Sequence, residues 1–325
     1  MSSGDVDYNS DHDAAGHLIS PEYGYLPNRS VNLVFTTLFA LCTAVHFVQA
    51  LRSRAWWLLP TVVLAGCGEG LGWIGREWSH DQPLDSNPFL MQTVALILSP
   101  TPLIGALFIT FGRMAARLGD KYSRLTPRLC ESLCYSAFPP YVYTRAYVDS
   151  RIFLTCDIVA LFIQAAGGGI AASTDDVNTG RLGSNIMLAG IVFQLVSLTV
   201  FSTLLVEYLV RRHQDRPFRK PTLDGLEDST LSGSYKGLSL QGPMMRLSVG
   251  LCIGTALLYI RAIYRTVELA DGWTGKVIRT QSLFIVFDGI MVFGTMLTLN
   301  ICHPGQLLKT AEPELMDGAI PVYKA

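Results

Sequence analysis

Charge is scarce in this 325-residue chain. Only 16% of its residues are Asp, Glu, Lys or Arg, against about a quarter in ordinary soluble domains. The 25 basic and 26 acidic residues leave a net charge of −1, so nothing draws the chain to nucleic acid, and none is expected as a partner. Residues 1–28 hold no lysine or arginine and no apolar run. They are not a signal peptide, and the first apolar block must act as its own insertion signal. No Walker loop, zinc-protease histidine pair or nucleophile elbow occurs, so no cofactor, no metal and no catalytic residue is expected. The seven cysteines all fall in apolar blocks or in basic segments where thiols stay reduced. Cys130 and Cys134 lack the nearby histidine or second pair that zinc would need.

What the chain has is apolar length. Half of its residues are hydrophobic, the mean hydropathy is +0.33, and crossing ~30 Å of hydrocarbon takes about 20 such residues in a helix. Seven blocks qualify, at about Val31–Leu51, Trp56–Ile74, Phe89–Phe111, Ile152–Ala172, Ile186–Val206, Met244–Tyr264 and Ser282–Ile301. Backbone groups in lipid must be satisfied within the span, which makes the blocks helices. The expected fold is an all-α, polytopic membrane protein with seven transmembrane helices. The aromatic stretch Leu129–Val148 is rejected as an eighth span, because it carries Glu131, Pro139, Pro140 and Arg145.

Orientation follows from the loops. Segments after the odd-numbered spans hold 17 lysines and arginines, and those on the other side hold 5. The basic side is cytoplasmic by the positive-inside rule, so the N-terminus is expected outside and the C-terminus inside. The organisation is then an extracellular tail (1–28), a seven-helix membrane domain (29–303) and a cytoplasmic tail (304–325).

Ionisable residues inside spans cost at least about 2.5 kcal/mol each on insertion scales, so each marks a candidate site. In the sixth span Arg261, Arg265 and Glu268 share one helical face. The second span carries Glu69 and ends towards Arg76, and the seventh carries Asp288. Counting turns puts Glu69, Arg261 and Asp288 at one depth in the outer half of the bilayer, where Arg261 should be neutralised by Glu69, Asp288 or both. Such a layer serves either a ligand or helix packing alone. A looser inner set comprises His46, read as a structural histidine, Glu207, read as interfacial, and Asp157, the deepest of the three. Gln164 precedes the glycine run Gly167–Gly169, read mainly as a close-packing surface. Ser99-Pro-Thr-Pro102 frees backbone carbonyls in the third span, and Gln92 and Gln194 add amides.

These motifs occur in a particular order: Tyr25-Leu-Pro-Asn-Arg-Ser-Val-Asn32, His46, Glu69…Gly72-Trp73…Arg76, Gln92…Ser99-Pro100, Phe153…Asp157…Gln164…Gly169, Gln194, Arg261…Arg265…Glu268 and Phe287-Asp288. In that order, from about Tyr25 to His303, the chain resembles the fungal lipid-translocating exporter family, named for resistance to aminocholesterol. The resemblance implies a seven-helix plasma-membrane protein linked to export or flipping of sphingoid long-chain bases, sterol-analogue resistance or porphyrin handling. Its polar positions here are Glu69, Arg76, Asp157, Gln164, Gln194, Arg261, Arg265, Glu268 and Asp288. Leu129–Ser150 departs from the family, for which a shorter loop before Phe153 is expected.

The leading expectation is therefore a lipid-translocating exporter, not an enzyme, whose partners are membrane lipids or amphiphilic small molecules. Glu69 or Asp288 would hold a cationic amine. The alternative is a seven-helix receptor or sensor of lipid stress. Phe111-Gly-Arg113 stands where such receptors carry an acidic-Arg-Tyr triplet.

Overall fold

The structure is a computed structural model, and it describes residues 20, 22–118, 145–172, 176–216, 242–272 and 275–310. Every regular element among them is helical. Seven helices are long and apolar enough to cross a membrane: α1 Arg29–Ser53, α2 Trp56–Asp81, α3 Ser86–Leu118, α4 Arg145–Ala172, α5 Val177–His213, α6 Pro243–Asp271 and α7 Gln281–Thr310. This is a multi-pass membrane protein.

Most helices outrun their apolar blocks. The fifth block, Ile186–Val206, lies inside the 37 residues of α5, and α2 continues past Ile74 to Asp81. Hydropathy marks where hydrocarbon begins, whereas a helix ends where its terminal N–H groups find another acceptor. Asn28, Asp85 and Asp176 supply that acceptor, capping Val31, Asn87 and Thr179 with side-chain oxygens. Of the rejected stretch Leu129–Val148, residues 145–148 form the first turn of α4. Residues 129–144, with Cys130 and Cys134, lie outside the described residues, as do the loop residues 217–241.

Consecutive helices pack side by side, α7 returns against α1, and α3 also packs on α6. This makes α3 the central helix, with 72% of its apolar window buried against 28% for α4. The core has two aromatic clusters. Near one end, Phe108, Phe111, Phe153, Phe201 and Tyr208 pack with ring centroids 4.5–5.6 Å apart. Near the other, Phe35 stacks on Trp73 at 4.3 Å and 10°. A side chain at Gly289 would put its Cβ 2.8 Å from the Trp73 ring and 3.0 Å from Phe35, so only glycine lets α7 close on this stack.

Three interruptions bear on the site. Two are wide π turns, Leu59–Val63 opening α2 and Ile285–Ile290 in α7. The third is the break at Ser99–Pro100, which divides α3. Pro100 has no N–H, so the carbonyl four residues earlier, that of Leu96, loses its helical donor.

Within the glycine run, only Gly167 sits at the tight α4–α5 contact. A Cβ there would meet the backbone of Met187 and Gly183, whereas one at Gly169 meets nothing within 4 Å. Gly167→Val should therefore destabilise the protein by about 1–3 kcal/mol through overpacking. Gly169→Val should stay within about 0.5 kcal/mol of wild type, as surface substitutions do. Thermal unfolding of the two variants in the same detergent checks this.

Candidate functional site

The buried ionisable residues of α2, α6 and α7 meet in one layer. Asp288 sits in the π turn of α7, where the widened backbone turns its carboxylate inward. Two arginines one turn apart on α6 reach it. Arg265 makes a fork of two hydrogen bonds, Nε to Oδ1 at 2.9 Å and Nη2 to Oδ2 at 2.6 Å. The Nε of Arg261 lies 2.9 Å from the same Oδ1. Arg265 also pairs with Glu268 at 2.7 Å, and the Tyr264 hydroxyl donates to the other Glu268 oxygen at 3.0 Å. These charges are all at least nine-tenths buried.

Arg261 takes its other anchor from the kink in α3. Its Nη2 donates to the Leu96 carbonyl at 2.5 Å, the acceptor that Pro100 leaves free. The proline thus turns a backbone oxygen into a ligand for a buried guanidinium.

Arg261 was expected to pair with Glu69, Asp288 or both, and of these Asp288 is its ion-pair partner. Asp288 takes the arginine, while Glu69 receives the Ser99 hydroxyl on Oε1 at 2.5 Å. The kink moves Ser99 towards α2, and Gly68 leaves room for it, since a Cβ there would come 2.6 Å from the Ser99 Cβ. The second Glu69 oxygen is buried without a hydrogen-bond partner, although Asp288, Arg261 and Arg265 are all within electrostatic reach.

Arg76, two turns further along α2, is 1% exposed. Its Nη1 donates to Gln92 at 3.1 Å and its Nη2 to the Tyr25 hydroxyl at 2.6 Å. Rings of Phe284, Tyr23 and Tyr25 surround it at 4.5, 5.1 and 5.6 Å. The two tyrosines lie on the segment that precedes α1 and crosses this end of the bundle as a strap. Tyr23 packs edge-on against Phe89 and donates to Gln92 at 2.6 Å.

Two small cavities connect these groups. One of about 20 Å³ is bordered by Tyr25, Arg76, Gln92, Arg265, Glu268 and Phe284. The other, about 10 Å³, is bordered by Pro100, Gln164, Gln194, Arg261 and Arg265. Each has room for about one water molecule, and together they border six of the nine anticipated positions: Arg76, Gln164, Gln194, Arg261, Arg265 and Glu268. Gln164 donates to Gln194 at 2.9 Å and Gln194 to Thr101 at 3.1 Å, forming an amide ladder into the membrane. Asp157 stands apart from both cavities. It is 1% exposed, has the Gln194 amide beside it, and neither oxygen makes a hydrogen bond of sound geometry.

The remaining inner residues are structural. His46 bonds the Met296 carbonyl at 2.9 Å and ties α1 to α7. Glu207 pairs with Arg211 one turn on at 2.8 Å, partly exposed.

The family described as RTA1 like protein matches residues 62–138 and 132–311. The chain belongs to the RTA1-like family. Among curated RTA1-like relatives in Saccharomyces cerevisiae, a sphingoid long-chain base transporter, RSB1 (strain Lalvin EC1118), is 28% identical over 91% of this chain and 77% of that protein. Protein RTA1 is 25% identical over 87% and 84%, and protoporphyrin uptake protein 1 is 22% identical over 86% and 90%. No solved structure matches the chain. The two family matches meet inside the segment read as a departure from the pattern.

Sequence reasoning missed the Leu96 carbonyl, Ser99 as the Glu69 donor and the tyrosines around Arg76. The first two were foreshadowed by the Ser-Pro-Thr-Pro motif. Tyr23 carried no signal, because its role arises only when the strap folds back over α2.

Tyr23 supplies a pH test of that strap. Burial, outweighing the adjacent Arg76 charge, pushes its hydroxyl up from 10 to about 12. The folded state therefore prefers the neutral phenol, and the stabilisation is complete below pH 10 and lost as pH rises through 12. Docking of the strap should hold to pH 10 and fail between 10 and 12, followed by tyrosinate absorbance and tryptophan fluorescence. Tyr23→Phe should remove the transition.

Proposed function

We propose that this protein moves amphiphilic lipids, sphingoid long-chain bases or sterol-like amphiphiles, across the plasma membrane in the direction of export. By the loop charges, the strap end faces outside. A long-chain base joins an apolar tail to a cationic amine. The observation that carries the reading is Glu69: it is fully buried, with a free oxygen, in a layer where Asp288 and Glu268 are already held by arginines. An ammonium group in place of that missing donor would give Glu69 a charge-assisted hydrogen bond while the tail stays in lipid. Asp288, the alternative amine site, has both oxygens engaged by guanidinium groups, which favours Glu69 in this reading.

The names of the relatives support transport of lipid or amphiphile rather than catalysis, since one is a sphingoid long-chain base transporter and another a protoporphyrin uptake protein. Cavities with room for single waters are too small for a headgroup. Passage of a headgroup through them therefore requires the helices to part.

The test is flux of labelled long-chain base across liposomes holding purified protein. Glu69→Gln should lower flux at least about tenfold, the loss of one buried charged hydrogen bond. Glu207→Gln, which removes a partly exposed carboxylate paired with Arg211 away from this layer, should not. Unchanged flux in Glu69→Gln at equal incorporation would remove Glu69 from the site. No flux in the wild-type protein would overturn the transport reading itself.

A further inference from the structure

Balanced pairing in the layer leaves Arg76 unmatched. Asp288 and Glu268 are engaged by Arg261 and Arg265, and no carboxylate among the described residues lies within ion-pair distance of Arg76. Its Nε is buried without a hydrogen-bond partner. An isolated buried cation is costly unless neutralised. Gln92 and the rings of Phe284, Tyr23 and Tyr25 offset part of that cost without supplying a negative charge. The guanidinium borders a cavity of about 20 Å³ that Arg265 and its partner Glu268 also border; with that carboxylate held by Arg265, the planar fork of Arg76 is shaped for two oxygens of one anion.

We propose that Arg76 is a binding site for the anionic group, carboxylate or phosphate, of a single-chain amphiphile. The cavity as it stands has room for one water molecule only, so entry requires the strap to yield. The incoming anion replaces the Tyr25 hydroxyl on Nη2, and the aromatic rings then line the first carbons of the chain. The site is independent of Glu69. It lies two helical turns, roughly 10 Å, nearer the strap end on the same helix, and it selects the opposite charge.

The experiment is equilibrium binding of radiolabelled laurate, dodecyl phosphate and dodecylamine to purified full-length protein in nanodiscs. Arg76→Gln should weaken binding of at least one of the two anions at least about tenfold and leave dodecylamine within about twofold. Tyr25→Phe, which removes the competing hydroxyl, should strengthen the same anion severalfold, a gain that a purely structural arginine would not produce. Preference for laurate assigns the site to carboxylates, and preference for dodecyl phosphate assigns it to phosphates. The proposal is overturned if neither anion binds the wild type, if Arg76→Gln binds both as the wild type does, or if amine binding falls in parallel. Should Arg76→Gln fail to fold, Arg76→Lys and Tyr25→Phe decide, and unchanged anion affinity in both overturns it. Because the flux of long-chain base depends on Glu69, either result can fail without the other.

Discussion

The fork between Arg265 and Asp288 is the constraint on which the rest of this bundle depends. It joins α6 to α7 through two hydrogen bonds of 2.9 and 2.6 Å between buried side chains. Breaking a buried pair of this kind by removing one partner costs about 3–5 kcal/mol, because the other charge is stranded. The geometry around it is arranged to satisfy what the fork leaves over. Arg261 shares Oδ1, Glu268 takes the third Arg265 nitrogen, and Tyr264 takes the second Glu268 oxygen. The π turn aims Asp288 inward, and Gly289 beside it lets Trp73 and Phe35 seal the layer from lipid.

Once those groups are paired, two charges of opposite sign remain on one face of α2, Glu69 and Arg76. Each is fully buried with one polar atom unpartnered. A layer that served packing alone would gain by replacing such groups with apolar ones. Their retention in the interior is the physical basis for reading this end of the bundle as a site for charged amphiphiles rather than as a structural network. The proline kink belongs to the same arrangement, since it supplies Leu96 to Arg261 and Ser99 to Glu69.

Much of this was legible in the chain. Apolar length alone specified seven helices, and the spacing of Arg261, Arg265 and Glu268 placed them on one face. The shared depth of Glu69, Arg261 and Asp288 followed from counting turns. Pairing was harder to read, because Asp288 and Glu69 are equally acidic and only the π turn and the Ser99 kink decide which one meets the arginine. Helix ends were not legible from apolar length in α2 and α5, where polar residues continue the helix beyond the apolar block. The cage around Arg76 was invisible for a third reason. It is built from a segment before the first helix, and nothing local in Tyr23 or Tyr25 says that the segment folds back.

The most direct test of the central claim is a double-mutant cycle on Arg265 and Asp288, with unfolding free energies measured in mixed micelles for Arg265→Met, Asp288→Leu and the pair. The account predicts a coupling of at least about 2 kcal/mol, with the double variant more stable than either single one. A coupling below about 0.5 kcal/mol, with additive losses, would mean that the two side chains do not hold α6 to α7 and would contradict it.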